Sequence, residues 1–200
     1  PSNDYIYKAQ QLCKDNGVLF IADEIQTGIA RTGSLLAVCG NCTCEQACER
    51  QTTYVRPDIL IMGKALSGGV YPISAVMADD EIMMVIQPGQ HGSTFGGNPL
   101  ACAVANVAID ILEDEDLIEN AEKRGKQLIK FLQTLQAKTA LIREVRGKGL
   151  LCAIEINTDE DSPVAWEICL DFMRAGLLAK PTHGNKIRLA PPLTISKSEM

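Results

Sequence analysis

Two short, unbroken apolar runs each end in charge, and that pairing restricts the fold more than any other feature of the chain. Val18-Leu19-Phe20-Ile21-Ala22 runs directly into Asp23-Glu24. Ile59-Leu60-Ile61-Met62 runs into Gly63-Lys64 and then Ser67-Gly68-Gly69. Continuous hydrophobicity over strand length is the pattern of a parallel sheet covered on both faces. Charged residues at the carboxyl ends of such strands are where open α/β sheets place their ligands.

Helical spacing surrounds these strands. Ile6, Ala9, Leu12 and Cys13 predict a helix closed by the C-cap pair Asn16-Gly17. Leu100, Val104, Val107, Ala108 and Ile111 predict a long helix entered at Asn98-Pro99, with proline in the first turn. Leu117, Ala121, Leu128, Ile129, Leu132 and Leu135 predict another, after an acidic stretch (Glu113–Asp116) that suits a helix N-terminus. Leu150–Ile156 is then expected as a strand, Val164–Ala175 as a helix capped by Gly176, and Ile187–Leu189 as a short strand. A boundary near Glu113 divides a parallel α/β layer (1–112) from a smaller α+β unit (113–200).

Composition narrows the function classes. With 46% hydrophobic and 22% charged residues, the chain has the content of a globular domain, not of a disordered one. A net charge of −6 leaves no basic field for nucleic acid or an anionic membrane. The longest apolar run is strand-sized, so no membrane span is expected. The chain opens on Pro1 without an initiator Met and closes on Ser196-Lys197-Ser198-Glu199-Met200, which has the look of a helix start. A piece of a longer protein is the expectation, and the compartment is not legible from such an N-terminus.

Of the eight cysteines, Cys13, Cys102, Cys152 and Cys169 stand singly on apolar faces and behave as small hydrophobes. The other four, Cys39, Cys42, Cys44 and Cys48, crowd a polar stretch that reads as a surface insertion at about 39–53. Four thiols could bind zinc, but structural zinc sites separate two pairs across a longer span. Free or redox-labile thiols are the preferred reading there, ahead of a metal site or disulfides.

Lys64, at a buried strand end beside a Gly-rich turn, is a candidate Schiff-base amine, because desolvation would make the neutral nucleophile accessible. The bland alternative is a lysine snorkelling to solvent. Asp23 alone could be a cap or a salt-bridge partner. Together they deliver an amine and a carboxylate on neighbouring strand ends. That combination suits pyridoxal phosphate, whose aldehyde needs a lysine and whose ring nitrogen needs an anion. Gly92-Ser93-Thr94-Phe95-Gly96-Gly97-Asn98-Pro99 is a hydroxyl-bearing loop running into a helix, able to hold a phosphate or to be a plain turn. Arg188 could present its planar fork to a carboxylate or form a structural ion pair.

Several strings now converge on a family. Leu19-Phe20-Ile21-Ala22-Asp23-Glu24-Ile25-Gln26-Thr27-Gly28 with Ala30-Arg31-Thr32-Gly33, Pro57-Asp58-Ile59 through Gly63-Lys64-Ala65-Leu66-Ser67-Gly68-Gly69, and His91-Gly92-Ser93-Thr94-Phe95-Gly96-Gly97-Asn98-Pro99-Leu100 resemble the class III pyridoxal-phosphate-dependent aminotransferases. The closing stretches Val145-Arg146-Gly147-Lys148-Gly149-Leu150-Leu151, Ala179-Lys180-Pro181-Thr182-His183-Gly184 and Ile187-Arg188-Leu189-Ala190-Pro191-Pro192-Leu193 are similar to members acting on ornithine.

The resemblance implies a fold type I (aspartate-aminotransferase-like) architecture: part of the large cofactor-binding domain, then a truncated C-terminal α+β domain. It implies transamination of ornithine with 2-oxoglutarate, with acetylornithine or 4-aminobutyrate as alternative donors. By the same resemblance Lys64 would bond the cofactor and carry the proton, Asp23 would pair with the ring nitrogen, and Gln26 would bind the phenolic oxygen. Thr94, with Ser93, would hold the phosphate of the neighbouring subunit's cofactor, making a homodimer (or a higher oligomer) with shared active sites. Arg188 would bind a substrate carboxylate. The compartment implied is the mitochondrial matrix or the cytoplasm. Enzymes of this family extend well beyond these residues on the N-terminal side, where the main phosphate-binding turn, the stacking aromatic and the residues selecting ornithine lie. A chain of these 200 residues alone is therefore expected to be inactive. The reading from another class is an incomplete fragment serving only as a folded or metal-binding module.

Overall fold

A computed structural model describes residues 5–38 and 55–200; the Cys39–Cys48 run lies outside the described residues. The chain divides into two units, Pro1–Ala30 with Ser34–Leu117, and Arg31–Gly33 with Ile118–Met200.

In the first unit, helix α1 (Tyr5–Asp15) ends as its cap residues dictate. Gly17 takes φ 65, and Val18 N–H donates to Cys13 O at 2.9 Å. The helix buries Gln10, whose amide donates to Arg56 O, while Leu12 is exposed. Strand β1 (Ile21–Asp23) lies parallel to β2 (Ile59–Met62), and β3 (Ala75–Ala78) adds antiparallel on the other side of β2. The strand expected at Val18–Ala22 is thus shorter and later. Its two faces are unequally covered: Ala22 is buried, but Ile21 is 51% exposed. One short helix, α2 (Asp80–Met83), precedes the long α3 (Pro99–Asp114). Asn98 caps α3 by accepting from Ala101 N–H at 2.9 Å, and Pro99 sits in the first turn, as the sequence predicts.

Helix α4 (Leu117–Gln136) follows a break at Asp116, which takes φ 50. The acidic stretch does not all serve its N-terminus. Glu113 and Asp114 close α3, where carboxylates oppose the macrodipole, so the turn geometry at Asp116 sets the boundary instead.

The second unit is built on an antiparallel sheet of β4 (Ile142–Lys148), β5 (Leu151–Ile156), β6 (Lys180–Thr182) and β7 (Lys186–Leu189), in the order β4-β5-β7-β6. Its core joins Leu128 and Leu132 of α4, Cys152, Ile154 and Ile156 of β5, Ile187 of β7, and Ala165 and Cys169 of α5 (Val164–Arg174). Fully burying such Leu or Ile side chains stabilises by about 1.5–3 kcal/mol each. The same burial pushes the Cys152 thiol up to about 11 and raises that of Cys169, which disfavours the thiolate at both.

Arg31 belongs to this unit. Its guanidinium donates to Leu150 O (3.1 Å) and Pro191 O (2.6 Å), while Leu150 N–H donates to Arg31 O (3.0 Å). On the sheet, Glu155 accepts from Arg143 (2.9 Å) and Arg146 (3.3 Å), and Lys186 pairs with Glu160 (2.7 Å). The final residues form the reciprocal pair expected of a helix start: Ser196 N–H donates to Glu199 Oε2 (2.9 Å), and Glu199 N–H to Ser196 Oγ (3.3 Å).

Candidate active site

Parallel pairing of β1 with β2 places Asp23 opposite Ile61. Glu24 N–H extends the ladder by donating to Ile61 O at 2.8 Å. Asp23 therefore stands beside the end of the strand whose continuation is Gly63-Lys64. A Cβ built on Gly63 would lie 3.7 Å from Ile25 Cγ1, so the segments after the two strands are in contact.

Lys64 opens a 3-10 turn (Lys64–Ser67) with a left-handed backbone, φ 51. For a non-glycine residue this costs about 1–2 kcal/mol, and such strain clusters where function fixes a side chain. The turn is held from behind. Gly68 N–H donates to Ala65 O (2.9 Å), the Ser67 hydroxyl and the Tyr71 backbone bond one another, and α3 packs along it with Ala101 and Ala105 buried. The Lys64 side chain, two residues beyond the end of β2, is exposed in this 200-residue chain. Among the described residues it has no ion-pair partner.

Asp23 is also exposed. Its Oδ1 accepts from Ile25 N–H at 3.1 Å, an Asx-type turn that leaves Oδ2 uncommitted among the described residues. Gln26 is exposed on the same turn. One amine and one carboxylate oxygen, neither with a partner among the described residues, thus emerge from neighbouring strand ends. This donor set fits pyridoxal phosphate.

Ser93 and Thr94 lie on an exposed loop ahead of α3. Ser93 Oγ accepts from Gly96 N–H (2.9 Å), and Asn98 Nδ2 donates to Phe95 O (2.9 Å), so the loop is ordered by its own polar groups. Arg188 belongs to the second unit: half-buried on β7, paired with Ala153 on β5 and Lys180 on β6. Sequence reasoning missed Glu24, which is buried and fully engaged, and the signal was its adjacency to Asp23: neighbouring strand residues face opposite ways.

The parallel strand pair, with a lysine and an aspartate at neighbouring ends, offers what pyridoxal phosphate requires of a protein, an amine for its aldehyde and an anion for its ring nitrogen. The profile of aminotransferase class III matches residues 1–200, and the chain belongs to that family. It is 54% identical, over its whole length, to 42% of the mitochondrial ornithine aminotransferase of Drosophila melanogaster. Among solved structures, the acetylornithine aminotransferase of Elizabethkingia anophelis is 57% identical with a TM-score of 0.89, the whole chain covering 47% of it. The ornithine aminotransferase of Toxoplasma gondii, solved with partial occupancy of PLP at its active site, is 46% identical with a TM-score of 0.87; 44% of it is covered. The chain therefore spans less than half the length of these relatives.

Proposed function

We propose that the protein carrying this chain transaminates L-ornithine with 2-oxoglutarate, giving glutamate 5-semialdehyde and glutamate. The observation that carries the reading is the Lys64–Asp23 pair on neighbouring strand ends, in a chain 54% identical to an ornithine aminotransferase. Bound pyridoxal phosphate supplies an electron sink for the carbon that loses its proton.

The chain's own residues do the rest. Lys64 Nζ, a primary amine on a braced turn, would hold the cofactor through its aldehyde carbon, with the aldehyde oxygen leaving as water, and when free would move the proton on and off the substrate carbon. Asp23 Oδ2 holds a proton on the ring nitrogen, which a neutral amide could not do as well. Gln26 donates to the phenolic oxygen. The Ser93 and Thr94 hydroxyls bind the phosphate of the neighbouring subunit's cofactor in a homodimer. Arg188 clamps a substrate carboxylate with two parallel N–H donors. A mitochondrial location is part of this proposal, supported by relatives that are named as mitochondrial enzymes. Acetylornithine is the second reading for the donor, favoured by the 57% identity to the Elizabethkingia enzyme.

The test uses the full-length protein. Borohydride reduction with cofactor bound should fix its mass on Lys64. Lys64→Ala should abolish turnover while leaving the melting temperature of the cofactor-free protein within a few degrees, since the Lys64 side chain has no ion-pair partner among the described residues. Ornithine should be the best of ornithine, acetylornithine and 4-aminobutyrate by kcat/KM. Turnover above a trace in Lys64→Ala overturns the site, and preference for acetylornithine overturns the substrate.

A further inference from the structure

Glu24 is 2% exposed, yet it lies between two exposed residues of the cofactor-binding turn, Asp23 and Ile25. Its carboxylate is occupied: Oε1 accepts from Val38 N–H at 2.7 Å, and Oε2 accepts from the Thr27 hydroxyl. Its backbone is occupied as well, N–H to Ile61 O (2.8 Å) and C=O from Gly28 N–H (2.9 Å). Glu24 thus joins four segments: the end of β1, the strand leading to Lys64, the turn bearing Gln26, and the chain at Val38. The turn closes so tightly that a Cβ on Gly28 would lie 2.9 Å from Glu24 O and 3.4 Å from its Oε2. Behind it, Ile29 and Ala30 are both buried with φ 53 and φ 67, strain that only a fixed surrounding sustains.

We infer that Glu24 is a positioning residue: through its bonds to Thr27 and Val38 it fixes the Asp23–Gln26 turn so that Asp23 Oδ2 and Gln26 meet the cofactor ring together. The inference rests on the proposed transaminase site. A carboxylate accepting two donors is acceptor-only, so Glu24→Gln turns one acceptor into an NH2 facing a donor. The turn would then open on the side of Gln26. Thr27→Val removes one donor and keeps the shape, whereas Thr27→Ser keeps the hydroxyl.

In the full-length protein, the cofactor dissociation constant, the circular dichroism of the bound cofactor, and steady-state kinetics are measured beside the melting temperature without cofactor. Glu24→Gln and Thr27→Val should raise the dissociation constant at least about tenfold and shrink the cofactor dichroism. They should lower kcat with the donor KM within about twofold. Thr27→Ser should restore all three. If the cofactor-free protein melts earlier while cofactor affinity and dichroism stay at wild type, Glu24 is only structural and the inference is wrong. Should Glu24→Gln fail to fold, the contrast between Thr27→Val and Thr27→Ser decides. Failure of the wild type itself to bind the cofactor at Lys64 would instead overturn the transaminase reading.

Discussion

Gly125 sets two effects of opposite sign against each other. It sits in the interior of α4, where Ala in place of Gly is favoured by about 1 kcal/mol on helix propensity. Yet a Cβ there would lie 2.7 Å from Gly149 Cα, with the carbonyl carbon and oxygen of Gly149 closer still. Carbon atoms pack at about 3.5–4.0 Å, so α4 and the β4–β5 turn would have to part by roughly 1 Å. Both groups are backbone, and no rotamer change relieves the overlap. Gly149 cannot retreat either: a Cβ on it would meet Thr32 Cα at 2.8 Å, and its φ of +54 favours glycine. The neighbouring Leu150 is fastened to Arg31 by both N–H and C=O.

Overpacking of this kind costs about 1–3 kcal/mol, and each lost backbone bond adds about 1 kcal/mol. With one backbone bond lost and about 1 kcal/mol gained from propensity, Gly125→Ala should destabilise by about 1–3 kcal/mol. In a protein of more than about 250 residues this is a drop of a few degrees in Tm. Urea denaturation and calorimetry of the full-length protein measure it, with Gly92→Ala as the control, since nothing lies within 4 Å of a Cβ there. A rise in Tm for Gly125→Ala would refute the steric reasoning and leave propensity in command.

Two further outcomes follow from charge and capping. Burial disfavours ionised Glu155, yet the hydrogen bonds from Arg143 and Arg146 outweigh it, and Lys186 does the same for Glu160, so both carboxyls titrate below their ordinary value in the folded state. A lowered folded-state value gives stability that is present above the unfolded-state value and lost as pH falls. The urea midpoint should therefore decline from about pH 5 to about pH 3, and less steeply in Glu155→Gln. Asn98→Ala should cost about 1 kcal/mol in the same assay by uncapping α3, while Asn98→Asp retains an acceptor and loses less.

The helices were legible because their ends carry chemistry: Asn16-Gly17, Asn98-Pro99 and Gly176 each specify a backbone state that few other residues favour. The strands β3, β4 and β6 were not legible. Ala75–Ala78 is too short to show a period, and Ile142–Lys148 is mostly charged because its outer face meets solvent and the Arg–Glu pairs. Lys180–Thr182 contains Pro181, which an edge strand tolerates and a sequence pattern counts against. At the site, Lys64 and Asp23 were visible as charge where an apolar run stops. The burial of Glu24 and the anchoring of Arg31 on Leu150 and Pro191 were not. Strand alternation sets Glu24 facing away from Asp23, but its partner Val38 lies 14 residues on and those of Arg31 lie 119 and 160 residues on, which no local pattern encodes.

The same exposure that hides nothing from solvent at Lys64 predicts how these 200 residues behave when made alone. β1 is an edge of its sheet among the described residues, and Val18, Leu19 and Ile21 are each at least half exposed beside it. Val76 and Met77 of β3 are similarly bare. An apolar edge with unpaired backbone groups recruits other chains. The chain retains Lys64, Asp23 and Gln26, so an amine and an anion are still offered to the cofactor. Yet it covers only 42% of the Drosophila relative, and a displacement of about 1 Å in a bound reactant can cost about 100-fold in rate. Light scattering should show association, and titration with pyridoxal phosphate should give weak, substoichiometric uptake without ornithine turnover. A monodisperse chain that binds the cofactor one-to-one and turns over would show that the site is complete within these residues, against the reasoning given.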